Sequence, residues 1–141
     1  MIARLLTALA LLGLVSRAAA QDDLKGTWVI QKAVQSGKTL DDAKARGAKL
    51  VITADRMTAY DPDNKELYVM GYKANPSVTP KTIDMRILKG KDLDRTASGI
   101  YALEGDTLKL AYSLDESKRP KELSSKEGDE VMLIEMKRAK D

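Results

Sequence analysis

The chain has 141 residues, with 24 Lys and Arg against 21 Asp and Glu, no Cys, no His, no Phe and one Trp. That length suits one domain around one core, and without cysteine no disulfide can staple it. The lack of histidine removes the commonest metal ligand and the commonest general base together.

Residues 1–20 read as a secretory signal. Arg4 supplies the charge, 5–15 is a short apolar run, Ser16-Arg17 breaks it, and Ala18-Ala19-Ala20 offers the small residues of a cleavage site. The competing reading, an uncleaved anchor, wants about 20 apolar residues. Cleavage near Ala20 makes Gln21 the mature start, places the protein in the periplasm or outside the cell, and leaves no stable membrane span. Losing Arg4 and Arg17 lowers the formal charge from +3 to +1. A near-neutral domain lacks the dense basic face that nucleic acid requires. The clusters Lys89-Gly90-Lys91 and Lys118-Arg119-Pro120-Lys121 read as solvated loop charges.

Residues 27–35 mix β-branched and apolar side chains and end at Ser36-Gly37, which predicts a strand and a turn. Trp28, Ile30 and Val34 share one parity, and Lys32 interrupts it, so a bulge or an open barrel mouth is expected near Lys32. Residues 39–47 read either as a short helix, capped by Thr39 and ended by Gly47, or as a charged surface loop. Two short strands follow at 49–54 and 56–60, then a turn at 61–64 with Pro62 in its second position. Residues 66–74 form a strand apolar on both faces, and 75–77 breaks it.

In 82–88, Ile83, Met85 and Ile87 alternate with Asp84 and Arg86, the pattern of a half-buried strand. After a charged loop at 89–96 comes a hairpin, 98–103 and 107–113, turning through Glu104-Gly105-Asp106. Tyr101 and Leu103 share one parity, as do Leu108, Leu110 and Tyr112. A long polar loop at 115–128 precedes a last strand at 129–138, apolar on both parities from Val131 to Ile134. About eight short strands with short connections predict an all-β fold, as an antiparallel up-and-down barrel or a sandwich, in one domain spanning 21–141.

Gly26-Thr27-Trp28 resembles the Gly-x-Trp signature of lipocalins. That resemblance implies a Trp plugging the closed end of a barrel, with a basic residue of the last strand across its ring. Lys137 and Arg138 are the candidates, and Arg138 is preferred because a planar guanidinium stacks well on an indole. More specifically, the chain resembles a lipocalin-like family of exported bacterial proteins of unknown function, expanded in planctomycetes. Leu24-x-Gly26-Thr27-Trp28, the run from Pro80 to Asp84, the run from Gly99 to Leu110, Arg119-Pro120 and Met136-Lys137-Arg138 carry the likeness in order. Members often have Cys after the Leu-Lys-Leu strand and Phe after Arg-Pro, where this chain has Ala111 and Leu123. The family implies an eight-stranded lipocalin-like barrel and export, and brings no activity.

No catalytic set can be assembled. Without His the usual triad is excluded, and no Ser-x-x-Lys heads a helix. The pairs Asp61/Asp63 and Asp92/Asp94 read as turn chemistry and local charge balance, since a calcium loop beginning at Asp61 would have Glu66 where Gly is needed. The expectation is a protein that is not an enzyme and has no metal or cofactor. Tyr68, Tyr72, Tyr101, Leu103, Leu110 and Tyr112 are the candidate lining of a ligand site, and a barrel of eight strands either fills itself or holds one small ligand. The first functional reading is a binding module for a small apolar or amphipathic molecule. The alternative is an interaction or inhibitor barrel that meets an envelope protein through loops 89–96 and 115–128.

Overall fold

In the computed structural model, which describes residues 24–40 and 46–140, nine strands run in chain order: β1 (Gly26–Gln35), β2 (Lys38–Thr39), β3 (Lys49–Ile52), β4 (Arg56–Tyr60), β5 (Glu66–Asn75), β6 (Lys81–Gly90), β7 (Thr96–Glu104), β8 (Thr107–Ser113) and β9 (Met132–Arg138). The signal segment 1–20 lies outside the described residues, as do 41–45 of the expected helix. Thr39 is not a helix cap: it belongs to β2, opposite Val34.

From β3 to β9 each strand pairs antiparallel with the next. β3 pairs with the first half of β1, from Gly26 opposite Ile52 to Val29 opposite Lys49. β9 lies along the other edge of β1, from Trp28 opposite Arg138 to Gln35 opposite Met132. The sheet therefore closes into an eight-stranded up-and-down lipocalin-like barrel of β1 and β3 to β9. Closure removes the exposed edges that would otherwise recruit other strands. β2 is the extra strand, taking the edge of β1 where β3 leaves it.

Three one-residue bulges set which side chains enter the barrel. At Gln31 the pairing with β9 skips a residue, and every side chain beyond it changes face. Lys32 therefore points outward opposite Glu135, Ala33 points inward opposite Ile134, and Val34 points outward opposite Leu133. Val34 does not share the face of Trp28 and Ile30, contrary to the parity of the sequence. The other bulges fall at Leu67, against β4, and at Leu88, against β5.

The inward positions make one core. Trp28, Ile83 and Met136 expose 1% or less of their surface, and Leu24, Leu50, Ile52, Met57, Met85, Tyr101, Leu108 and Leu110 are also buried. A second, smaller core lies outside the barrel wall. There Ile100 and Ala111, which face outward, are covered by Val131, with Leu123 and Leu133 packed against them. Residues 114–131 supply this cover, which is why both parities of the 131–134 run are apolar: Met132 and Ile134 face in, while Val131 and Leu133 belong to the external cluster. The last strand itself begins at Met132, because Glu130 adopts a positive φ of 57°.

Arg119 is the anchor of the strap and is not a solvated loop charge. Its guanidinium donates to Ile83 O at 3.2 Å, to Gly99 O at 2.8 Å and to Asp84 Oδ1 at 2.5 Å. Pro120 beside it is buried. Farther along, Ser125 Oγ donates to Val131 O at 2.7 Å and accepts from Gly37 N at 2.9 Å. Ala111 and Leu123, where the family resemblance breaks, meet in this one external cluster.

Candidate ligand site

The barrel has two unlike ends. The turns 53–55 and 105–106 and the loop 76–80 lie at the base, and the turns 36–37, 61–65 and 91–95 lie at the mouth. At the base the Arg138 guanidinium lies 4.3 Å from the centre of the Trp28 ring. Trp28 Nε1 donates to Leu24 O at 2.9 Å, which satisfies the only polar atom of the indole. Arg138 Nη1 donates to Lys25 O at 2.8 Å, and Nε lies 3.6 Å from Asp106 Oδ1. Gly26 has φ 133°, and a Cβ there would sit 3.0 Å from Arg138 Nη1, so glycine leaves room for the guanidinium. Thr27 faces outward opposite Val51, and its carbonyl accepts from Ala139 N at 2.8 Å. Gly26, Thr27, Trp28 and Arg138 together close the base and offer nothing to a ligand.

Above this plug the interior is closely packed. The void between Leu24, Met57, Ile83, Tyr101 and Leu110 measures about 10 Å³, too little for more than a single water. Toward the mouth the packing changes. Ile30, Tyr68, Met70, Tyr112 and Ile134 all point inward against the core, yet each keeps part of its surface accessible. An inward side chain is reached from the interior or from either end of the barrel, and Tyr72, Ala74 and Leu103, inward toward the base, are partly accessible as well. The five partly accessible residues nearer the mouth make up the upper interior, the cup, above the packed floor.

The six candidate lining residues divide accordingly. Tyr68 and Tyr112 belong to the cup. Tyr101 and Leu110 belong to the floor, at 6% and 3% exposure. Tyr72 and Leu103 lie nearer the base rim, and Tyr72 is tied down by donating to Thr53 O at 2.5 Å. Tyr101 stands opposite Leu110, and Tyr112 opposite Gly99, so the two tyrosines are diagonal neighbours rather than a facing pair. Gly99 is required there, because a Cβ would fall 2.7 Å from Ala111 O and 2.9 Å from Tyr112 Cβ.

Burial raises the pKa of the Tyr68, Tyr72, Tyr101 and Tyr112 phenols above the ordinary value of 10.0. Tyr112 is pushed furthest, first by burial and then by the neighbouring Tyr68. For Tyr72 the Asp55 carboxylate adds to burial, and for Tyr101 the Tyr72 phenol does. Four charged side chains of these strands point the other way, while Arg95, Asp115, Glu116 and Glu130 line a hollow at the mouth. Lys73 and Asp84 pair outward across β5 and β6, and Lys109 and Glu135 across β8 and β9, the latter 3.8 Å apart. The alternating pattern thus turns apolar side chains and phenols inward, with charged groups at the rim.

Ile30, Met70 and Ile134 escape a reading of the sequence in search of aromatic lining, although Met70 shares the parity of Tyr68 and Tyr72. Leu24 and Arg119 act through backbone contacts, which leave no periodic trace. The acidic pairs serve their turns. Asp61 Oδ1 accepts from Asp63 N and Lys65 N, both at 2.9 Å, and Asp94 pairs with Arg86 at 3.0 Å. Among the described residues no group of three His, Cys, Asp or Glu side chains could hold a metal ion. None of their helices is long and apolar enough to cross a membrane.

Fold and site together define a closed antiparallel barrel with a capped base, a packed floor and partly accessible apolar side chains toward its mouth. No family model, curated protein or solved structure matches the chain.

Proposed function

We propose that this chain is an exported, non-enzymatic binding module of lipocalin-like type, which takes one small apolar or amphipathic molecule into the upper half of its barrel. The observation that carries the reading is that a floor with about 10 Å³ to spare lies below five inward, mostly apolar side chains that keep accessible surface toward the mouth. Sites for small molecules are concave and mostly apolar, with a few placed polar groups. The Gly26, Trp28 and Arg138 plug supports kinship with the exported lipocalin-like family, and the pattern at 1–20 supports export.

The alternative of an interaction barrel has less support, because Arg119, Pro120, Leu123 and Ser125 commit 115–128 to the barrel wall. The test is titration with the neutral fluorophore N-phenyl-1-naphthylamine. Binding is expected, with Met70→Trp and Ile134→Trp each weakening it by about tenfold or more as they fill the cup. A protein that enhances no apolar probe, in any of these forms, is not a carrier of this kind.

A further inference from the structure

The sulfur atoms of the barrel fall into two groups by depth. The chain has no cysteine, and Met1 lies in the segment read as a signal, so the sulfurs beyond it are the thioethers of Met57, Met70, Met85, Met132 and Met136. Met57, Met85 and Met136 belong to the packed floor and expose 3% of their surface or less. Met70 and Met132 also point inward, from β5 and β9, but both stay partly accessible. Met70 stands opposite Met57 and Ile87 and packs against the core. Met132 stands opposite Tyr112 and Gln35, and Gln35 lines the hollow at the mouth. Trp28, oxidisable as well, is fully buried.

We propose that Met70 and Met132 are the protein's oxidation site: a peroxide converts both thioethers to sulfoxides with the barrel intact, and thereby lowers its hold on an apolar ligand. The second half rests on the binding function proposed above. Each sulfur attacks one peroxide oxygen, the O–O bond breaks, and the sulfur keeps that oxygen while the other departs as water. Sulfur is oxidised by two electrons and the peroxide is reduced by two. The reaction requires the oxidant to reach the sulfur, so depth sorts the five thioethers. A sulfoxide oxygen is a strong acceptor, and burying it without a donor is costly. At Met70 and Met132 the accessible surface lets it stay hydrated, and the fold tolerates it. In the floor, with about 10 Å³ to spare, no water can follow it, and oxidation there would unfold the barrel. The two hydrated oxygens replace apolar surface in the upper interior by polar surface. An apolar molecule must then strip water from them to bind.

The experiment is exposure to millimolar hydrogen peroxide, followed by peptide mapping by mass, far-ultraviolet circular dichroism and titration with N-phenyl-1-naphthylamine. Oxygen is expected to enter first at Met70 and Met132, about tenfold or more faster than at Met57, Met85 and Met136. With those two sites converted, secondary structure should persist and the probe should bind about fivefold or more weakly. In a double variant, Met70→Leu with Met132→Leu, the same treatment should leave probe affinity where that variant began. Oxidation of all five thioethers at one rate, or unfolding as the first two convert, would overturn the site. Unchanged probe affinity after both conversions, or an equal loss in the double variant, would overturn the release and leave the binding function intact. Failure of the probe to bind the unoxidised protein would instead remove the binding function and the release with it, while the mass map still decides the oxidation site.

Discussion

Trp28 and Arg138 stand opposite each other across the seam that closes the barrel, and the guanidinium covers the indole at 4.3 Å. One is near the start of the first strand and the other ends the last. Their contact therefore joins the two ends of the sheet, and sequence neighbours contribute only the backbone acceptors Leu24 O and Lys25 O.

Removing the plug tests that seam. Trp28→Ala should cost about 3–5 kcal/mol, as expected for a large aromatic side chain taken from a packed core. Arg138→Ala should cost about 1–2 kcal/mol, combining the cation–π contact with the bond to Lys25 O. Equilibrium urea denaturation followed by far-ultraviolet signal measures both. A loss below about 1 kcal/mol for Trp28→Ala is what a surface position gives and would be incompatible with the core described here.

The external strap makes a separate prediction. Arg119→Ala should cost about 1–2 kcal/mol, because Ile83 O and Gly99 O lose a charged donor that is one-third exposed. The variant should also admit trypsin at Lys118, Lys121 and Lys126 well before the barrel is cut. Cleavage at unchanged rates would mean that the strap is held by Leu123 and Ser125 without help from Arg119.

Two glycines should fail for different reasons. Gly99→Ala places a Cβ against the backbone of β8 and the Tyr112 side chain, so overpacking should cost about 1–3 kcal/mol. Gly105→Ala meets nothing within 4 Å but holds φ at 58°, so its cost should be about 1 kcal/mol of backbone strain. Thermal denaturation ranks the two. Equal tolerance of both would contradict the close approach at Gly99.

High pH should unfold the protein through its phenols. Tyr68, Tyr72, Tyr101 and Tyr112 all have folded-state pKa values raised above 10.0. A raised pKa means that the folded state holds the proton more tightly than the unfolded chain. The associated stability is complete below pH 10 and is lost as pH climbs from there through the folded values. Tyrosinate absorbance should therefore rise late, and together with loss of secondary structure. A simple titration of all phenols near pH 10 with the fold intact would refute the burial assigned to them.

Much of the barrel was legible in the chain because a strand with one wet face must alternate. Ile83, Met85 and Ile87 against Asp84 and Arg86, and the Leu108, Leu110, Tyr112 series, declare their inward face without reference to any other strand. The turns at Ser36-Gly37 and Gly105 are equally local, since positive φ is a property of the residue itself.

Three matters lay beyond such reading, each for a reason of tertiary geometry. The bulge at Gln31 exists only relative to β9, so the parity of Trp28, Ile30 and Val34 pointed all three the same way when Val34 in fact faces out. The run from Val131 to Ile134 reads alike on both sides, and only the strap over Ile100 and Ala111 decides which side chains belong to a second core. The cup depends on how far side chains from four strands reach into a shared space, a sum that no single segment contains. Composition and alternation determined that this chain would build an all-β wall without staples or histidine chemistry. Closure, bulges and packing depth, which are relations between distant residues, decided that the wall forms a barrel and which side chains fill it.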